Sequence, residues 1–351
     1  MTLLTKTECS ALRGVAIIGI FLHNYLHWLG PMVKENEYQF FQSNVDWMVS
    51  LVSSPDENLL FQLFSFFGHY GVPVFLFLSG YGLVLKYERE ATQPSMPFLR
   101  HHFMKLFPMM VLGFVCFAMV DWITPGRHHW AWTDIIAQLT MTINLLPDPD
   151  HIIWPGPYWF FGLMMQLYLV YILVIHRYRH WTVVAGLTLL CWALQAMCAG
   201  SPDGEVLNRI RYNSIGGMLP FGMGVLLARS QALQQRLSSV GVCGWLAVLG
   251  ISVALTAAFS LTFHTWLWVP ALIVVVNVAF VKVLPQIGVR ALDWVGALSA
   301  AIFVCHPITR KIFIPISRGG AILDGLVLYI VATVMLAMLF RMIISQLQKK
   351  A

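Results

Sequence analysis

Charge is what this chain has least of. Asp, Glu, Lys and Arg together make up 11% of its 351 residues, where an ordinary soluble domain carries roughly 25%. So few charges exclude a water-soluble globular protein of this length. The six cysteines (Cys9, Cys116, Cys191, Cys198, Cys243, Cys305) are scattered through apolar segments with no C-x-x-C spacing, so neither a zinc ribbon nor a disulfide framework is indicated and they read as packing residues. G-x-S-x-G is absent, so Ser79 is not read as a nucleophile. No internal repeat or low-complexity tract is visible, and the only long connections are 31–59 and 124–156. The reading is one integral membrane domain over 1–351 with no fused soluble domain, its chemistry among the helices or under those two loops.

What is present is apolar length: 58% of the residues are hydrophobic. A membrane crossing needs about 20 predominantly apolar residues. Ten segments meet this: 10–30, 60–86, 102–123, 157–176, 181–199, 211–229, 238–259, 264–284, 293–315 and 322–345. The fold class expected is therefore an all-α polytopic membrane protein with about ten transmembrane helices. The first span contains Arg13 early and runs into Trp28 to Pro31 with no small-residue cleavage pattern, so it is not a removable signal. A further stretch, Thr133 to Leu146, is short for a crossing and reads as a re-entrant or interfacial helix.

Loop charge supports ten crossings with both termini cytoplasmic. All of the 22 Lys and Arg then fall on the cytoplasmic side, Arg89, Lys349 and Lys350 included, except Lys34, Arg127, Arg209, Arg211, Arg310, Lys311 and Arg318. If Thr133 to Leu146 crossed, this segregation would collapse. The net charge of +6 is thus a topology signature, and no nucleic-acid partner is implied.

Ionisable groups inside a span cost at least ~2.5 kcal/mol near the bilayer centre, which makes them functional candidates. The first span carries three. At a 1.5 Å rise per residue, Arg13 lies roughly 5 Å in and His23 roughly 20 Å in, so one helix can face a donor from one side and an acceptor from the other. Neutral imidazole suits a general base near neutral pH, which points to His23, with His27 nearer the outer interface. The two histidines are four apart, a spacing a metal can use. The intervening glutamate of H-E-x-x-H is missing, and the sequence shows no carboxylate at similar depth, so no metal is assigned. Ser79-Gly80-Tyr81-Gly82 in the second span reads first as close helix packing and second as hydroxyls orienting a ligand. Arg100, His101, His102 and Lys105 would offer a polyanion several cations at the cytoplasmic edge.

Arg13-Gly14 with the apolar run to His23, F-L-F-L-S-G-Y-G-L at 75–83, K-L-F-P at 105–108 and S-A-A-I-F-V-C-H-P at 299–307 together resemble the acyltransferase-3 family of integral membrane acyltransferases. Trp159-Phe160-Phe161 followed by Gln166-Leu167-Tyr168 is similar to that family's W-F-L segment. The resemblance covers essentially the whole chain. It implies acetyl-CoA, bound from the cytosol, as acyl donor, and a hydroxyl of a cell-envelope glycan or lipid-linked saccharide as acceptor, in a bacterial cytoplasmic (inner) membrane. Arg13 and His23 would be the essential pair of the first helix, and Arg100 and Lys105 would meet the CoA phosphates, with Ser79 and Tyr81 near the donor. Tyr81, Trp159 and Tyr168 would stack on sugar, and His306 would line the cavity, with Pro307 kinking its helix. Two departures stand out. The family commonly leaves ten residues between Arg and His, and here there are nine, which puts Arg13 and His23 about 80° apart on an ideal helix while His27 returns to within about 40° of Arg13. Met164 also stands where some members carry a glutamate. The alternative is a transporter or flippase of a lipid-linked or small anionic substrate, since buried ionisable groups mark such routes too. Oligomeric state is open.

Overall fold

The structure is a computed structural model and describes residues 2–88 and 93–350. Arg89 lies outside the described residues, as do the side chains of Lys349 and Lys350. Among the described residues the regular structure is helical throughout. Eight helices of the described residues are long and apolar enough to cross a membrane: α1 (Lys6–Leu26), α2 (Leu59–Tyr87), α3 (Ser95–Ile123), α4 (Gly156–Ile175), α5 (Trp181–Gly200), α7 (Val242–Phe259), α9 (Gln286–Arg318) and α10 (Ile322–Lys350). Two shorter apolar helices, α6 (Ser214–Arg229) and α8 (Val269–Val283), stand where the remaining two crossings are expected. The chain is an integral, multi-pass membrane protein.

Boundaries moved where local chemistry dictates. The Thr5 hydroxyl accepts from the Glu8 amide and the Glu8 carboxylate accepts from the Thr5 amide, a reciprocal cap that starts α1 at Lys6;. The helix runs to Leu26, and His27 is its C-cap, not an interior residue. Pro94 precedes α3, whose 29 residues extend about 44 Å;, so Arg100 belongs to this helix and not to the loop before it. Helix α9 continues through Pro307 and Pro315 without ending. Thr133 to Leu146 is not one helix: Trp132–Leu139 is followed by Met141 at φ 58° and a 3-10 turn over Ile143–Leu145. Eight residues rise about 12 Å, too short to cross.

Helices in lipid gain little from apolar contact alone and approach closely where side chains are small. Helix α1 is wedged between α9 and α2 on this principle. A Cβ on Gly296 would fall 1.8 Å from the Ser10 carbonyl oxygen, and one on Gly14 would fall 2.1 Å from that of Leu292. On the other flank, a Cβ on Gly68 would meet both the Gly19 carbonyl oxygen and the His23 Cβ at 2.6 Å. Gly80 touches the backbone of Phe221 on α6, which gives the Ser79–Gly82 cluster the packing role expected of it. Ion pairs tie the helix ends at either side: Lys282 to Glu8 at 2.6 Å and Arg229 to Glu88 at 2.6 Å near the start of α1, and Lys311 to Asp121 at 2.7 Å toward the other side.

Candidate active site

The segment after α1 folds back over its end. Val33 donates its amide to Gln62 and its carbonyl accepts from Ser65 of α2, while Asn36 and Glu37 offer their carbonyls to Trp266 and Arg211. Four side chains from separate places in the sequence thus hold residues 33–37 beneath the outer loops. Beside this segment lies a cavity of about 360 Å³ whose wall includes His23, His27, Trp28, Glu35, Glu37, Tyr38, His69, Asp150, Trp154, Trp159, Tyr212 and Arg310.

His23 is 2% exposed, and its Nδ1 lies 2.8 Å from the Ser65 carbonyl oxygen. A carbonyl only accepts, so Nδ1 carries the proton of the neutral ring and Nε2 keeps its lone pair. Glu35 Oε1 is 3.9 Å from that Nε2. His27 repeats the pattern, its Nδ1 3.0 Å from the His23 carbonyl oxygen and its ring 4.5 Å from that of His23. The 33–37 segment therefore brings a carboxylate to the level of His23, which corrects the expectation that none lies there.

Two acids and one cation complete the polar wall. Glu37 is half-buried; loss of water around its carboxyl, reinforced by the negative charge of Glu35, holds it well above the usual carboxylate range;. Asp150 receives the Tyr212 hydroxyl at 2.9 Å. Arg310, buried on α9, donates to the Asn24 carbonyl at 3.1 Å and lies 4.9 Å over the Trp28 ring. Tyr38 stacks on Tyr212 at 3.8 Å and meets Trp159 edge-on. The bent Thr133–Leu146 segment supports this wall: Asn144 donates to the carbonyls of Trp159 and Tyr212 at 2.8 and 2.7 Å.

The other residues singled out in the sequence are divided between this cavity and the far end of α1. Helix α1 is regular from Lys6 to Leu26, so no irregularity offsets the nine-residue spacing: Arg13 is exposed while His23 is buried, and Arg13 is not part of the cavity wall. Arg13 instead lies, like Lys86, close enough for its positive charge to act on Lys105. Tyr168 belongs with this basic group, its ring 4.2 Å from that of His102 and near the Arg13 charge, and not with Trp159 in the cavity. Arg100 is exposed five residues before Lys105. Tyr81 is buried and its hydroxyl donates to Gln234 at 3.0 Å, while the Ser79 hydroxyl donates to its own helix at Phe75; both are occupied within the protein. His306 is fully buried behind Phe303, its Nδ1 3.2 Å from the Ile302 carbonyl oxygen.

Residues 9–342 match the family model described as an acyltransferase domain, the acyltransferase-3 family. The chain belongs to that family. It is a membrane acyltransferase, and this supports acyl transfer over the transporter reading. Neither a curated protein nor a solved structure matches it. Of the residues in the cavity of this acyltransferase, sequence reasoning missed Glu35, Glu37, Asp150 and Arg310. For Arg310 the signal was there, an arginine in an apolar span four residues after His306, as conspicuous as Arg13. For the three acids it was not, since outer-loop carboxylates look alike until the loops fold.

Proposed function

We propose that this acyltransferase moves an acetyl group from acetyl-CoA to a hydroxyl of a cell-envelope glycan or lipid-linked saccharide, with His23 as general base. The carrying observation is the His23 ring: its Nδ1–H is spent on the Ser65 carbonyl, and its Nε2 lone pair faces a cavity lined by aromatics and carboxylates. Flat rings such as Trp159, Tyr38 and Trp154 suit sugar faces, and carboxylates accept hydroxyl hydrogens. The volume is near the lower end of small-ligand pockets, ~300–1,000 Å³, and suits one end of a saccharide.

In the proposed reaction, Nε2 takes the proton of the acceptor hydroxyl, whose oxygen attacks the thioester carbonyl. The carbon–sulfur bond then breaks, an ester forms, and the proton passes from His23 to the departing thiolate. Arg310 stands in the cavity, where its remaining N–H groups can stabilise the oxyanion. That moves the stabilising role from Arg13 to Arg310 and leaves Arg13, with Lys105, Lys86 and Arg100, to hold the CoA phosphates. His23 lies ten positions after Arg13 on α1, a rise of about 15 Å, which an extended donor arm would bridge. This reading has ten crossings, the Arg13 end of α1 in the cytosol and the cavity opening outward, in a bacterial inner membrane.

Purified protein with labelled acetyl-CoA tests it. Transfer or slow hydrolysis that disappears in His23→Ala is the expected result. Absence of CoA binding, or a His23→Ala variant that turns over like the parent, overturns it.

A further inference from the structure

The cluster of His23, His27 and Glu35 fits a second kind of chemistry. One ligand atom from each residue lies within 4.8 Å of the others. Both histidines donate Nδ1–H to backbone carbonyls, of Ser65 and of His23 itself. This is the outer hydrogen bond that metal-bound imidazoles almost always make, and it leaves both Nε2 atoms as lone-pair donors. An independent observation points the same way: Glu35 Oε2 is buried and has no hydrogen-bond partner among the described residues, a costly state for a carboxylate oxygen. His69, buried beside His23 with ring centroids 5.4 Å apart, also has both nitrogens without a hydrogen-bond partner among the described residues.

We propose that His23, His27 and Glu35 form a binding site for a divalent transition-metal ion of the zinc type. Two imidazoles and a carboxylate are a donor set that binds zinc with an open fourth position. Zinc ligands at 2.0–2.2 Å in a tetrahedron stand roughly 3.4 Å apart, so the present separations close by about 1 Å through rotation of the Glu35 and His27 side chains. The nearby charges are mixed. Arg310 and Lys34 oppose a cation at His27, and Glu35 and Asp150 on the cavity wall favour one.

The ion would occupy the lone pair that His23 needs as a base, so metal binding would inhibit acyl transfer; this consequence rests on the function proposed above, whereas the site itself does not. Cobalt(II) titrated into the full-length protein in detergent reads the site without reference to activity. The expected result is one saturable, tetrahedral-type visible absorption band, displaced by zinc, with affinity at least tenfold lower in both His27→Ala and Glu35→Gln. Thermal unfolding of the metal-free variants shows that they are folded, and Glu35→Gln preserves the side chain's size. No saturable band, or binding unchanged in both variants, overturns the site. Zinc inhibition, measured relative to each protein's own rate, should weaken in parallel with cobalt affinity. If cobalt binds as expected and zinc leaves the rate unchanged, the metal site stands and His23 as base falls. If cobalt does not bind while His23→Ala is inactive, the site falls and the base stands.

Discussion

Replacing Gly68 by alanine tests whether the seat of His23 governs the chemistry. The added methyl carbon would fall 2.6 Å from the His23 Cβ and 2.6 Å from the Gly19 carbonyl oxygen. Carbon atoms pack at about 3.5–4.0 Å, so the two helices must separate by roughly 1 Å. Both obstacles are built into α1, an oxygen of its backbone and a Cβ fixed to it, so neither can rotate away. Overpacking of this kind costs about 1–3 kcal/mol of stability. The larger effect is on the reaction, because a misplacement of about 1 Å can cost around 10²-fold in rate, equivalent to roughly 2.7 kcal/mol of barrier. The assay is the initial rate with labelled acetyl-CoA beside a thermal unfolding curve in the same detergent. Gly82→Ala is the control: it lies on the same helix with nothing within 4 Å of the new carbon and should keep the parental rate, with stability unchanged or higher by up to ~1 kcal/mol. A Gly68→Ala protein that is folded and turns over at the parental rate would refute the reasoning.

Three further outcomes follow from the same geometry. The Glu37 carboxyl is held above its ordinary range in the folded protein, so the unfolded chain releases this proton first. Its contribution to stability is therefore complete below the ordinary glutamate value and lost as pH rises through the raised one; unfolding midpoints should fall with pH across that window, and Glu37→Gln should flatten the slope. Arg13→Ala and Lys105→Ala should each raise KM for acetyl-CoA roughly tenfold or more, as the loss of one charge-assisted contact of about 1.5–3 kcal/mol implies, with kcat little changed and the difference shrinking in high salt. Arg310→Ala should lower kcat by about 10²–10³ with the donor KM nearly unchanged, as removal of an oxyanion donor does; a pure KM effect would place Arg310 in acceptor binding instead.

Much of the fold was legible because a bilayer enforces a simple code. Apolar length marked all ten positions where long or apolar helices stand, and the stretch at Thr133 to Leu146 was short enough to read as non-crossing. The errors at the ends have local causes. The Thr5–Glu8 cap pulled α1 four residues toward the N-terminus, and Pro94 started α3 well before the apolar run, taking Arg100 into the helix. The cost of burying an ionisable group singled out His23 and His27, and both line the cavity. It could not say that Arg13 faces outward or that Tyr168 and Trp159, nine residues apart on one helix, serve opposite ends of it.

By itself the sequence determined that this is an all-helical membrane protein that resembles the acyltransferase-3 family, and how far apart Arg13, His23 and His27 stand along α1, because the rise per residue of a helix sets that separation directly. Only the tertiary structure decided which of these groups meet. Rotation of α1 between α2 and α9 is set by glycines on all three helices, and Glu35 reaches His23 because distant side chains, Gln62, Ser65 and Trp266 among them, hold its loop in place. Spacing is a property of one helix. A site with its base, its carboxylate and its arginine on different segments is a property of their packing.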